Sequence, residues 1–118
     1  MQPPKPFQEK KPWGDFIEYT CNVPSTIKII TVNPGEAFSL QTHHNRDEFW
    51  HILSGTGTVI IGDTSRPIVT GDYFVPRETA HRIQAGDTPV VFLEISFGTF
   101  DEKDITRLED RYGRTASS

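Results

Sequence analysis

The chain has 118 residues, a formal net charge of -4 and a single cysteine, Cys21. This length predicts one domain with a small core, and burial against a second copy would enlarge that core, so a homodimer is expected. The acidic balance and the scattered Lys and Arg residues exclude a basic nucleic-acid-binding surface. A lone cysteine excludes an internal disulfide and fits a reducing, cytoplasmic location, and no apolar run is long enough to span a membrane.

The first element along the chain is a proline-rich arm. Four prolines disfavour helix over residues 1–12, so an extended arm is expected there. Residues 13–112 follow as the domain, with about nine short β-branched and aromatic runs separated by turn residues. Frequent short strands of this kind predict an all-β fold, a sandwich or barrel of antiparallel strands.

The one candidate for a helix lies near the end of the chain. In residues 101–112 charged side chains outnumber apolar ones, which predicts a short helical turn or an irregular segment rather than a core helix. Residues 113–118 are polar and are expected to form a flexible tail.

A candidate metal site begins in the third of these runs and is completed by a histidine at the start of the eighth. Gln41 and His43 are two residues apart, so an extended segment directs both side chains to one face. Glu48 opens the next apolar strand, and His81 begins a later one, so all four can face one site. Two imidazoles, a carboxylate and an amide oxygen suit a divalent metal such as zinc, iron, manganese, cobalt or nickel.

Further polar residues recur in strand-like positions. His44 is out of phase with His43. Lys28 is in phase with the apolar residues of its strand, and Glu94 interrupts an apolar run. A carboxylate in such a run is costly unless it is paired or functional. Arginines are candidates for anion contacts because a planar guanidinium matches phosphate oxygens, although each alone also fits a solvated surface position: Arg46, Arg82 and Arg107.

Taken together, these motifs resemble a known family. Gln41-x-His43 and Glu48, followed by Gly71, Pro76 and His81, resemble the two sequence blocks of the cupin superfamily, with Gln41 where cupins usually carry the first His. Longer stretches of the sequence are more specific, and they are similar to the type II mannose-6-phosphate isomerase domain. The stretches that carry this resemblance are Lys11-Pro12-Trp13-Gly14, Arg46-x-Glu48-x-Trp50, His81-Arg82-Ile83 and Arg107-Leu108-Glu109-Asp110-x-Tyr112-Gly113-Arg114.

The resemblance implies a cupin jelly-roll barrel that holds a divalent metal, most often Zn²⁺. Carried over by position, the metal ligands are Gln41, His43, Glu48 and His81. The implied reaction interconverts mannose 6-phosphate and fructose 6-phosphate, with one proton moved between C2 and C1 through a cis-enediol. Candidate proton carriers are His44, Glu94 and Lys28, and candidate phosphate contacts are Arg46, Arg82, Arg107 and Arg114.

Two other functions remain open at this level. One is a metal-containing cupin that binds a sugar without turnover, which three departures from the family pattern favour: Asn45, Phe49 and Glu78. The other is a metal-dependent oxygenase, because two His and one carboxylate also hold non-haem iron.

Overall fold

The computed structural model describes residues 6–114, and within them it contains eleven β-strands and no helix. No helix long and apolar enough to cross a bilayer is therefore found in this part of the chain. The strands are β1 (Phe7–Lys11), β2 (Gly14–Glu18), β3 (Ser25–Val32), β4 (Leu40–Thr42), β5 (Arg46–Ser54), β6 (Gly57–Ile61), β7 (Thr64–Pro67), β8 (Gly71–Val75), β9 (His81–Ala85), β10 (Val90–Gly98) and β11 (Thr106–Glu109).

Two antiparallel sheets form the body of the molecule. One has four strands in the order β3-β10-β5-β8, and the other has five in the order β11-β4-β9-β6-β7. Apart from the β6-β7 hairpin, neighbours in these two sheets are not consecutive in sequence, and the chain crosses repeatedly from one sheet to the other, as in a jelly roll. The predicted all-β fold of short antiparallel strands is confirmed.

The core lies between the two sheets. Alternate side chains of the long strands β5 and β10 point into it, and Trp50, Ile52 and Phe92 are completely buried. Ile83 of β9 meets them from the other sheet and is also completely buried. Each such side chain stabilises the fold by roughly 1.5–3 kcal/mol relative to an exposed one, so these central strands hold the site rigidly.

The two ends of the chain contain more strand than the sequence pattern indicates. Within the predicted arm, β1 pairs with β2 as a separate hairpin, since Pro6 and Pro12 flank the strand rather than interrupt it. Near the other end, β11 pairs with β4 where a helical turn or irregular segment was predicted. Residues 1–5 and 115–118 lie outside the described residues, and the division into arm, domain and tail stays a prediction.

The fold sets two rows of polar side chains against each other inside the sandwich. In the five-stranded sheet, Arg107 pairs with Gln41 and Gln41 pairs with His81, so the three share the inward face. In the four-stranded sheet, the corresponding row contains Glu94 paired with both Lys28 and Trp50. Polar residues that are far apart in sequence thus meet at one end of the core.

Candidate metal centre

Three metal-ligating side chains converge at this end of the core. The donor atoms of His43, Glu48 and His81 lie within 4.8 Å of one another, and all three residues are buried. Glu48 comes from β5 and His81 from the start of β9, whereas His43 lies just after β4. The two sheets therefore each contribute to the cluster, and only the folded chain can assemble it.

Backbone carbonyls fix the orientation of both imidazole rings. His43 Nδ1 donates to the Asp104 carbonyl at 2.6 Å, and His81 Nδ1 donates to the Thr79 carbonyl at 2.9 Å. Because a carbonyl only accepts, each Nδ1 carries the proton and each Nε2 keeps its lone pair. The Nε2 atoms face Glu48, at 3.3 Å from His43 and 3.7 Å from His81.

The electrostatics of the cluster favour the protonation states that bind a metal. Burial lowers the pKa of His43 and of His81, so both imidazoles are neutral at physiological pH. Burial alone would raise the pKa of Glu48, but electrostatic interactions with His81, His43 and Arg46, together with the hydrogen bond from Arg46, outweigh it and lower that pKa. Arg46 supplies the charge that persists when both imidazoles are neutral. Two neutral imidazoles therefore stand beside one carboxylate, which is the form in which these groups ligate.

The buried His81 Nε2 has no hydrogen-bond partner among the described residues. An unsatisfied buried acceptor is costly, and a cation bound between the Nε2 atoms and Glu48 would satisfy it. This orphaned atom and the donor set fit a divalent ion of the zinc, iron, manganese, cobalt or nickel type.

Gln41 is placed to complete the set, but its amide oxygen is turned away. Its Oε1 accepts from the Ser39 hydroxyl at 2.6 Å, while its Nε2 lies 3.3 Å from His43 Nε2. Ligation through oxygen requires rotation of the amide, after which the Ser39 hydroxyl can accept from the amide nitrogen instead.

Arg46 belongs to the same cluster rather than to a free anion site. It is buried, its Nε donates to Glu48 at 3.1 Å, and one terminal nitrogen lies 3.2 Å from His43 Nε2. The other terminal nitrogen donates to the Asp101 carbonyl at 3.2 Å, and the guanidinium stacks on Phe100 at 4.4 Å. A cation bound between these groups would therefore have to displace part of the Arg46 guanidinium from Glu48 and from His43 Nε2.

A cavity of about 220 Å³ opens onto the cluster. Most of the residues predicted to act on a substrate line it, and aromatic Phe38 and Trp50 form part of its wall. Its charged or polar lining residues are Lys28, Gln41, Arg46, Glu48, His81, Glu94, Glu102, Arg107 and Arg114.

Glu94 is the acid most altered by this environment. Burial, followed by the neighbouring carboxylate of Glu48, raises the pKa of Glu94 to about 8. Its strand neighbour across the ladder is Lys28, whose ammonium lies 3.2 Å from exposed Glu102. Glu94 thus carries a proton at neutral pH at the wall of the cavity, next to Glu48.

Two of the predicted substrate residues lie elsewhere. The His44 side chain is 67% exposed and pairs with Glu78 at 2.9 Å, because the out-of-phase position turns it outward. Arg82 alternates with His81 along β9, so its side chain leaves the cavity and donates to the Phe38 carbonyl at 2.9 Å. Neither residue lines the cavity.

Two supporting residues were missed from the sequence. Trp50 donates from its indole nitrogen to Glu48 at 3.1 Å, and the two-residue spacing from Glu48 was a signal that could have found it. Asp104 accepts the His43 ring through its carbonyl, and its carboxylate accepts the backbone amides of His44 and Asn45 at 2.8 and 2.9 Å. Nothing local in the sequence marks Asp104, which lies about sixty residues from its partners.

A family model described as "Mannose-6-phosphate isomerase C-terminal" matches residues 6–110. The chain belongs to this family. Mannose-1-phosphate guanylyltransferase RfbM of Salmonella typhimurium is 39% identical over 106 residues, which cover 87% of this chain and 22% of that protein. The chain thus spans less than a quarter of the length of the curated relatives it matches.

Solved structures share the fold of this member of the mannose-6-phosphate isomerase C-terminal family. A cupin protein from Bacteroides fragilis has a TM-score of 0.58 at 23% identity, covering 64% of this chain and 66% of that one. A protein described as a candidate sugar phosphate isomerase, from Acidithiobacillus ferrooxidans, has a TM-score of 0.58 at 30% identity, covering 65% of this chain and 51% of that one. The predicted cupin jelly roll is confirmed.

Proposed function

We propose that the chain is a metal-dependent isomerase that interconverts mannose 6-phosphate and fructose 6-phosphate through a cis-enediol. The observation that carries the proposal is the buried set of two neutral imidazoles and a carboxylate at the cavity wall. His43, Glu48 and His81 would hold the ion, with Gln41 as the fourth ligand after rotation of its amide. A divalent ion there, with Zn²⁺ as the first choice, supplies Lewis-acid stabilisation of negative charge on the sugar oxygens.

Glu94 is the preferred proton carrier of the proposal. It lines the cavity, is buried and has a pKa raised to about 8, so both of its forms are accessible near neutral pH: the carboxylate would take the proton from one sugar carbon, and the resulting acid would return it to the other. Lys28 faces it across the ladder and is the second candidate. Glu48 is not a candidate proton carrier, because it is one of the proposed metal ligands. His44 is not a candidate either, because it lies outside the cavity.

The test is a coupled assay of both sugar phosphates with Zn²⁺, Mn²⁺, Fe²⁺, Co²⁺ and Ni²⁺ added in turn. Turnover is expected with at least one metal, and Glu94→Gln should lower kcat by about 10²-fold or more, because general acid–base groups contribute on that scale. Glu18→Gln, on the exposed hairpin, makes the same chemical change as a control. Absence of turnover with every metal would sink the catalytic claim.

A second candidate is a domain that binds a sugar without turnover. Arg46 favours this function, because its guanidinium lies within hydrogen-bonding distance of both the His43 Nε2 atom and the Glu48 carboxylate. It therefore competes for these groups with the cation that turnover would require. This function predicts that mannose 6-phosphate raises the thermal stability of the protein without being converted. A cytoplasmic location and a homodimer remain predictions from the sequence under either function.

A further inference from the structure

The loop that carries His43 has no strand ladder of its own. Residues 43–45, here called the donor loop, lie between β4 and β5 and belong to neither strand. A metal ligand has to be held within about 0.5 Å of its working position, and a loop without ladder hydrogen bonds needs other contacts to achieve this. The position of His43 therefore depends on what the donor loop packs against.

The connection between β10 and β11, residues 99–105, runs along the donor loop. Its first residue, Thr99, donates its backbone amide to the Asn45 carbonyl at 3.1 Å. Gly98, the last residue of β10, approaches the same carbonyl so closely that an added Cβ would clash with it. Its φ of 111° also lies in the region that favours glycine. Glycine at this position thus allows the connection to start in direct contact with the donor loop.

Asp104, near the other end of this connection, accepts hydrogen bonds from three successive residues of the donor loop. Its carbonyl accepts from His43 Nδ1 at 2.6 Å. One carboxylate oxygen accepts the backbone amide of His44 at 2.8 Å, and the other accepts that of Asn45 at 2.9 Å. A single residue therefore holds both the ring of a metal donor and the backbone that follows it.

The connection is rigid enough to transmit this constraint. The Asp104 amide donates to the Asp101 carbonyl at 2.9 Å, and the Asp101 carboxylate accepts the Lys103 amide at 2.9 Å. The Asp101 carbonyl also accepts from buried Arg46 at 3.2 Å. Asp104 is thus fixed by its own segment before it contacts the donor loop.

We propose that the Asp104 carboxylate is a positioning group of the metal centre, which sets the affinity for a divalent cation by holding the donor loop. This inference rests on the metal centre of the proposed function. Asp104 is not itself a ligand, because both of its carboxylate oxygens accept backbone amides and the residue does not line the cavity.

The experiment measures the Zn²⁺ affinity of the full chain by competition with a chelator. Asp104→Ala removes the carboxylate but keeps the carbonyl that orients His43, and it should weaken Zn²⁺ binding about 10- to 100-fold, the usual cost of losing a group that orients a ligand. Asp104→Asn keeps one side-chain oxygen as an acceptor and should recover part of the affinity. The absorption spectrum of the Co²⁺-loaded chain should change in Asp104→Ala, because the geometry of the donors changes.

Asp101→Ala is the matched control. It makes the same substitution in the same segment, keeps the Asp101 carbonyl that accepts from Arg46 and removes a carboxylate that accepts an amide of its own segment. It should leave the Zn²⁺ affinity and the Co²⁺ spectrum unchanged. Thermal unfolding with a chelator present gives a temperature at which every variant is folded, and the affinities are compared at that temperature.

Three outcomes would overturn the role of Asp104: a Zn²⁺ affinity that Asp104→Ala leaves unchanged, an equal loss in Asp101→Ala, or an affinity in Asp104→Asn as low as in Asp104→Ala. A parent chain that binds no Zn²⁺ would overturn this role and the metal centre together. Failure of the isomerase proposal is distinguishable. Zn²⁺ affinity that depends on Asp104 without turnover would keep the role, whereas turnover with an affinity that Asp104→Ala leaves unchanged would keep only the isomerase.

Discussion

Each of the two inward histidines is oriented by a backbone carbonyl, which side-chain substitution cannot remove. The carbonyls of Asp104 and Thr79 hold the Nδ1 atoms of His43 and His81. The tautomer therefore comes from the course of the chain, and the lone pairs at Nε2 are fixed toward Glu48. With a metal bound as proposed, its affinity would depend on loop geometry as much as on the ligands.

Removal of a single donor should therefore remove most of the metal. His81→Ala leaves one imidazole and a carboxylate, and the metal content of the purified protein, measured by elemental analysis, should fall about tenfold or more. His51→Ala is the matched control, because His51 lies on the outer face of the sheet, where it pairs with Asp72 at 2.6 Å. Equal metal content in the two variants would contradict the assigned centre.

Glu78 adopts a backbone conformation that normally suits glycine. Its φ is 65°, and its amide donates to the His43 carbonyl at 2.6 Å, so the strained residue is tied to the loop of a metal donor. A side chain in this region costs about 1–2 kcal/mol. Comparing Glu78→Gly with Glu78→Ala separates the strain from the exposed pair with His44, which both variants lose.

We expect Glu78→Gly to be more stable than Glu78→Ala by about 1 kcal/mol in urea unfolding, after the greater chain entropy of glycine is subtracted. For a domain of this size such a difference raises the melting temperature by roughly 4–8 °C. Equal stability of the two variants would show that residue 78 is not strained.

At the level of elements, the sequence predicts the positions of the strands better than it predicts which strands pair with each other. The two-residue period places Gln41 and His43 on one face, and strand β5 begins near Glu48 as expected. Pairing of β4 with both β9 and β11 depends on long-range packing, which no local pattern encodes. Charges in residues 101–112 obscured β11 for the same reason, because its stability comes from pairing with β4 rather than from its own composition.

Hydrogen bonds to one carboxylate, that of Asp110, hold the segment after β11. The backbone amide and the guanidinium of Arg114 donate to the carboxylate of Asp110 at 2.6, 2.8 and 3.1 Å. The hydrogen bond from the Arg114 side chain is the main cause that lowers the pKa of Asp110 to about 2. A depressed carboxyl pKa contributes stability above its ordinary value of 3.8, and the contribution disappears as the pH falls toward 2.

Asp110→Asn should therefore be less stable than the parent at neutral pH, and the gap should close between about pH 4 and pH 2. The measurement is urea unfolding of both chains across this range with a chelator present, so that metal binding does not contribute. A gap that is constant with pH would rule out the ionised carboxylate as its source.

At the scale of the whole molecule, two features fit the predicted homodimer. The hairpin of β1 and β2 pairs with neither large sheet, and the longest dimension of the molecule is 52 Å. An isolated hairpin is only marginally stable in water. Ile27 and Ile29 on edge strand β3 are 57% and 66% exposed, which leaves apolar surface on the outer face of the four-stranded sheet.

Sedimentation velocity is expected to show a dimer that Ile27→Lys/Ile29→Lys shifts toward monomer, because a charge on this face opposes burial against a second copy. Val69→Lys introduces the same charge at another exposed apolar position and should not alter the mass. A parent chain that sediments as a monomer at all concentrations would contradict the homodimer.

The contact between Trp50 and Glu48 also provides the chain with an optical reporter. The chain has two tryptophans, and they differ sharply in environment: Trp13 is 74% exposed at the hairpin turn, whereas Trp50 is fully buried, packs against His81 at 5.6 Å and donates to Glu48. A cation arriving at the cluster changes the electric field on one indole only. In a Trp13→Phe background all tryptophan emission comes from Trp50 and would therefore follow occupancy of the centre directly.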